Sequence, residues 1–486
     1  MTTPAPLETT VPADAARSAS VPAGRRAVIL VGNPAAPYSR GLRIARALAA
    51  EGYAVEIAAV AVPGLPEHEW DGDIEIRRYR ASGPFARMAG RYQGTSPVAA
   101  TGTAMASVEP AAVVPRPRTR APRAPADDTT MRRAARVPRL LAGRVRRLLM
   151  AYARWALWPH TVRGWWATLA RDLRPADLYH ACGSLTIAPA LAARDGARRA
   201  GRDPVVVYDA IDDVFESNNV VDMPGPLRRW HARRERGWAR AADGRTTVNT
   251  ALAERLARRW AITTSPVVVP NYPDLGPLER DAADTTPDLI RAELGLGPEI
   301  RIVVFQGRLG PGLGLDEAAE AILLVPDAAL VLIGFGRWWD RSAARDGEPR
   351  FAGRHFTLPA RHPDELPRWT ASADASVVPL PPISFNQRHA TPNKFWEAIA
   401  VGTPVVVGPD LPVMDDLVAR DDLGAVAASL GPADLAAAMR SVLDRPAADR
   451  AAWRSAIRAT ARARYGWPAA EAAYRELVRS LVERSR

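Results

Sequence analysis

Short apolar runs, each ending in a turn and followed by a stretch of helical period, recur along this chain of 486 residues. Ala27 to Val31 leads into Gly32-Asn33-Pro34, then Leu42, Ile44, Ala45 and Leu48 at helical spacing, Gly52, and a second run from Ala54 to Val60. Runs apolar on both faces suit strands covered on both sides, and strand, turn, helix and strand in succession is the unit of a parallel sheet. The rhythm resumes at Asp177–Cys182, Val205–Asp209, Thr246–Asn249 and Pro266–Val269. It starts afresh at Ile300–Gln306, Ala329–Ile333, Ser376–Pro379 and Pro404–Val407. The pattern predicts an α/β chain of two doubly wound halves with a cleft between them, and the length suits two such domains.

Residues 1–24 are rich in Ala, Pro, Thr and Ser without an apolar core, which predicts a disordered tail rather than a signal peptide, and a cytoplasmic protein. The first domain is expected over 25–275, with a flexible insertion at about 81–130 where periodicity disappears. A polar, proline-bearing linker at 276–298 precedes a second domain at 299–467, and a final helix occupies 468–486.

Composition removes several classes. No apolar run approaches a membrane span, the single cysteine Cys182 cannot form an intrachain disulfide, and no Cys/His cluster has zinc-ligand spacing, so no metal is expected. The net charge is +12, and 64 of the 65 basic residues are arginine; the one lysine is Lys394. Ammonium and guanidinium are not interchangeable, so a lone lysine among arginines draws attention. Eleven arginines lie between Arg116 and Arg147, and Leu148, Leu149, Met150, Trp155, Trp158, Trp165 and Trp166 follow within 116–171. That mixture fits either a helix lying on an anionic membrane or an ordinary helix with its indoles in the core. No nucleic-acid motif accompanies the charge, and no nucleic-acid partner is expected.

Ligands of parallel α/β sheets bind at the carboxyl ends of strands. One such loop is Gly307-Arg308-Leu309-Gly310-Pro311-Gly312-Leu313-Gly314, where glycine amides and the Arg308 fork suit an anion. Another is Gly334-Phe335-Gly336. The third, Thr391-Pro392-Asn393-Lys394-Phe395-Trp396-Glu397 up to Gly402, reads as a helix with Thr391 as N-cap and Pro392 in its first position. A cation in a first helical turn is unfavourable unless an anion sits nearby, so Lys394 points to phosphate. Glu397 shares its face and can accept bonds from ribose hydroxyls; a plain Lys394–Glu397 surface pair is the alternative.

These loops, with the Glu397-Ala-Ile-Ala-Val-Gly-Thr-Pro-Val-Val block and Pro270-Asn271, resemble the GT-B-fold glycosyltransferases, in particular retaining family 4 (group 1) enzymes. Pro392-Asn393-Lys394 and Tyr208-Asp209-Ala210-Ile211-Asp212-Asp213 resemble a subgroup acting in cell-surface polysaccharide assembly. The resemblance implies a GT-B fold of two Rossmann-like domains. It also implies transfer from an NDP-sugar to a carbohydrate or lipid-linked acceptor, with no further cofactor. It assigns the diphosphate to Gly307, Arg308, Gly334, Asn393 and Lys394, the ribose to Glu397, and the base to backbone near Leu358 and Pro359. Arg308, Lys394, Asp209 and Asp212 become catalytic candidates, and Gly32, His180, Asp213 and His389 candidates near the acceptor or donor sugar; Asp212 and Asp213 could equally cap a helix. The final helix, with Trp467 near its start, should cross back onto the first domain. The chain departs from the family pattern at His389, where a glutamate is usual, at Leu313 for a lysine, and at Ile211 for a histidine. Two other readings stay open: a non-catalytic nucleotide-sugar-binding or scaffold protein, and a sugar-nucleotide epimerase.

Overall fold

The structure, a computed structural model, describes residues 24–36, 39–81, 85, 144–217, 220–274, 288–362 and 364–485. The expected tail, nearly all of the 81–130 insertion, the arginine-rich stretch before residue 144 and about half of the expected 276–298 linker lie outside the described residues.

The first half is an eight-stranded sheet in the order β3-β4-β2-β1-β5-β6-β7-β8. Its strands are β1 (Arg26–Val31), β2 (Ala54–Val60), β3 (His68–Asp71), β4 (Ile74–Tyr79), β5 (Leu178–Cys182), β6 (Val205–Asp209), β7 (Gly244–Thr247) and β8 (Val267–Val268). Every pairing is parallel except β3 with β4. Side chains alternate across a strand, and β1 shows what that requires here. Val28 and Leu30 pack with Trp165 and Leu169 of α2 (Trp158–Asp172), while Ile29 and Val31 face Ile44 and Leu48 of α1 (Ser39–Ala50). Both faces are covered, so the strand has to be apolar throughout. The helix α3 (Thr250–Trp260) follows β7, its first turn capped by the Asn249 side chain accepting from Leu252 N.

The second half is a six-stranded, wholly parallel sheet in the order β11-β10-β9-β12-β13-β14. Its strands are β9 (Arg301–Arg308), β10 (Ala328–Phe335), β11 (His355–Pro359), β12 (Ala375–Val378), β13 (Val405–Val407) and β14 (Gly424–Val426). Between β12 and β13 lie a one-turn helix α4 (Phe385–Arg388) and α5 (Asn393–Ala400). The helix α6 (Trp467–Arg484) returns to the first sheet, where Trp467, Tyr474, Val478 and Leu481 join the cluster that holds Ile29 and Val31. Arg475 and Arg479 clamp it to Glu51, and Trp467 N donates to Pro273 O.

Several details differ from expectation. The β3–β4 hairpin escapes the apolar pattern because β3 is mostly exposed and β4 reads as charged (Ile-Glu-Ile-Arg-Arg-Tyr). The strand expected at Thr246–Asn249 runs from Gly244 to Thr247, since Asn249 is spent as the cap of α3. Among the described residues, no helix is long and apolar enough to cross a membrane.

Candidate active site

The carboxyl ends of β9 and β10 open toward the first half, and their backbones meet closely there. A Cβ on Gly334 would lie 1.9 Å from the Gly307 carbonyl oxygen, so only glycine fits. Gly307 itself has φ +108°, in the region that favours glycine. Arg308 is exposed at the end of β9. The helix α5 begins one residue later than expected: Pro392 is its N-cap, and no side chain caps it. Thr391 is therefore not the cap; Phe395 N donates to Pro392 O at 2.9 Å, and the amides of Asn393 and Lys394 are left for another acceptor.

Lys394, in that first turn, lays its ammonium over the Phe305 ring at 4.3 Å from the centroid. Its Cε and Nζ lie 4.0 Å from where a Gly307 Cβ would stand, so loop and lysine are adjacent. Burial lowers the Lys394 ammonium to about 8; Arg308 adds to the effect and Glu397 opposes it. Glu397 accepts a bond of 2.8 Å from Gln306 Nε2. Gln306 cannot turn its amide round, because its oxygen takes the Thr370 hydroxyl. Burial raises the Glu397 carboxyl, against the pull of Gln306, Arg43 and Lys394. Arg43 belongs to α1 and stacks on Trp467 at 5.3 Å, so Glu397 faces charge from the first half across the gap. Lys394 and Glu397 thus lie at the interdomain gap rather than on an outer surface. The Leu358 side chain is buried in the core, and Leu358 and Pro359 of β11 pair with Ile333 and Gly334 of β10.

Next to the start of α5 a cavity of about 250 Å³ lies between the halves. The first half contributes Ile211, Asp212, Asn249 and Asn271, and the second Asn386, His389, Thr391 and Asn393. Asp212 opens into it, and surrounding protein raises its carboxyl. His389 rests on Phe385 with ring centroids 4.3 Å apart, and its imidazole is lowered by burial, Arg388 and Arg255. Two bridges close the cavity: Asn386 exchanges bonds of 3.0 and 2.9 Å with the Asp213 backbone, and Asn249 Nδ2 donates to His389 O at 2.9 Å.

Three expected site residues sit behind the cleft wall instead. Asp209 is fully buried and gripped by Arg40 through two bonds of 2.7 Å and by Thr246 at 2.8 Å. Burial would raise its carboxyl, but the Arg40 pair holds it far below the usual range. His180 is equally buried, 3.6 Å from Asp209 and bonded to the Tyr474 hydroxyl of α6. Asp213 caps the short turn Val214–Glu216 and pairs with Arg255 and Arg259. None of the three reaches the cavity. Gly32 ends β1 against Leu185, whose Cδ2 would be 2.7 Å from an added Cβ. The ligand-bearing atoms of His180, Cys182 and Asp209 lie within 4.8 Å of one another, but a cation there would displace the Arg40 guanidinium, so this donor set does not suit one.

Sequence reading passed over Gln306, Asn249 and Asn386. Gln306 carried a usable signal, as the polar residue that follows the apolar run Ile302–Phe305 of β9. The two asparagines carried none, since their role is to meet another half of the chain.

Residues 300–445 match the family model of group 1 glycosyl transferases. A D-inositol 3-phosphate glycosyltransferase from Segniliparus rotundus is 31% identical over 265 residues, covering 51% of this chain and 54% of the relative; the chain thus spans about half the length of that protein. Among solved structures, sucrose-phosphate synthase from Thermosynechococcus elongatus superposes with TM-score 0.62 at 18% identity, over 94% of this chain and 100% of that one. Anabaena Alr3699/HepE in complex with UDP and glucose gives TM-score 0.59 at 14% identity, over 94% and 100%. The fold is GT-B, and within it residues 300–445 resemble the group 1 glycosyl transferases.

Proposed function

We propose that this chain transfers a glycosyl group from a nucleoside diphosphate sugar to an acceptor hydroxyl. The observation that carries the reading is the gathering of Gly307, Arg308, Lys394, Glu397 and the uncapped start of α5 at one end of the second sheet, facing the other half. The diphosphate is held by the α5 amides, Lys394 and Arg308, the ribose by Glu397, and the base by backbone at Leu358 and Pro359. As the bond from the anomeric carbon to phosphate breaks, negative charge grows on the diphosphate, and the two cations stabilise it there. The acceptor oxygen bonds to the anomeric carbon and its proton passes to a phosphate oxygen, a course consistent with retention of configuration. His389 stands beside the transferred sugar. The cleft bridges keep water from the donor.

We infer that the acceptor belongs to cell-surface polysaccharide or glycolipid assembly at the inner face of a membrane. What supports this is a helix at 144–156 whose Leu148, Leu149 and Met150 are 54%, 63% and 65% exposed among Arg144, Arg146, Arg147 and Arg154. Replacing Lys394 by Ala tests the central claim. UDP, GDP and ADP are titrated into the protein by calorimetry, and the binding nucleotide should lose about ten- to a hundredfold in affinity, as for loss of one charge-assisted contact. Unchanged affinity in the variant would refute the site.

A further inference from the structure

The cavity between the halves has an unusual charge balance for a place meant to receive a second substrate. Among the described residues that line it there is no arginine or lysine; its one formal charge is the Asp212 carboxylate. Asp212 is exposed to the cavity and has no ion pair or hydrogen bond among the described residues, and desolvation by the surrounding protein raises its carboxyl. Arg255 lies close by but is spent on Asp213 and Glu216, each at 2.7 Å, and Arg388 is exposed without lining the cavity. The His389 imidazole, held below its ordinary range, is neutral near pH 7.

Two buried polar atoms of the lining also lack any partner among the described residues: Thr391 Oγ1, on a residue 7% exposed, and His389 Nδ1. Buried polar atoms are nearly always bonded, so each marks a place for a ligand group. A hydroxyl suits both because it donates and accepts, and it also donates to the Asp212 carboxylate. A phosphate monoester only accepts near neutral pH and brings close to two negative charges against that carboxylate with no cation in the wall.

Resting on the transferase reading above, we propose that the acceptor bound in this cavity is an uncharged polyol, a sugar or cyclitol ring without phosphate or carboxylate, and that Asp212 turns anionic acceptors away. Selectivity of this kind is set by repulsion as much as by attraction.

The test uses the full chain, the NDP-sugar it binds, and acceptors in matched pairs: glucose and glucose 6-phosphate, myo-inositol and its 3-phosphate. The ratio of kcat/KM, neutral over phosphorylated, should exceed about tenfold, and Asp212→Asn should shrink that ratio while nucleotide affinity stays as in the parent. Thr391→Val should raise KM for the neutral acceptor, again with nucleotide affinity unchanged. Preference for a phosphorylated acceptor, a ratio unmoved by Asp212→Asn, or nucleotide binding with no polyol used would overturn the assignment. Failure to bind any nucleotide or NDP-sugar would instead strike the transferase reading itself, and this inference with it.

Discussion

Lys394 is held as an ammonium over an aromatic face, beside Arg308, at the mouth of an uncapped helix. Without an anion, burial and the neighbouring guanidinium bring its proton loss down to about 8. The folded protein therefore releases this proton before the unfolded chain does, and its stability rises with pH between about 8 and about 10, the ordinary lysine range. A bound diphosphate favours the ammonium, so nucleotide affinity has the opposite slope: level below about 8, then falling by at most about tenfold per pH unit. Calorimetry at pH 8.5 in buffers of differing ionisation enthalpy should register proton uptake on binding, and its absence would detach Lys394 from the nucleotide. The sequence made Lys394 and Glu397 legible because a cation in a first turn contradicts the helix dipole. It could not show that Asp209 and His180 are buried, because a carboxylate and an imidazole at strand ends look alike whether they face a cleft or the Arg40 and Tyr474 side chains.

The one-turn helix α4 belongs to the second sheet's connection yet is fastened to the first half. Phe385 lies under Arg255 at 4.2 Å, Asn386 holds the Asp213 backbone at both ends of its amide, and Gln387 Nε2 ties back to Gly312 O at 2.7 Å. Each neutral hydrogen bond contributes about 0.5–1.5 kcal/mol net, so losing the Asn386 pair shifts the balance toward an open cleft by about five- to a hundredfold. Asn386→Ala should enlarge the radius of gyration in small-angle scattering and raise KM for donor; an unchanged scattering curve and KM would show that the clasp does not govern closure. Elements buried on both faces, such as β1 and β9, were readable as continuous apolar runs. The short α4 was not, since four residues carry no period and its partners lie on the other half of the chain.

At the scale of the molecule, the arginine-bearing helix at 144–156 gathers Val145, Leu148, Leu149 and Met150 as exposed apolar side chains. It is anchored at its end by Trp155, buried with Phe215, Val220 and Met223 and bonded to Asp222. Vesicles containing anionic lipid should sediment with the protein, neutral vesicles much less, and added salt or Leu148→Asp with Leu149→Asp should release it. Equal binding to neutral vesicles, or none to either, would leave the patch without this role. The two-sheet plan was legible from the recurring runs, whereas the seat of α6 on the first sheet followed from the family resemblance and not from its own periodicity. That seat has a consequence for how the chain is made. Trp467, Tyr474, Val478 and Leu481 complete a cluster begun at Ala27, and they are translated about 200 residues after β8 closes its sheet. At about 5–20 residues per second, the nascent first sheet waits some ten to forty seconds on the ribosome with one flank uncovered, while its neighbour can mature before it.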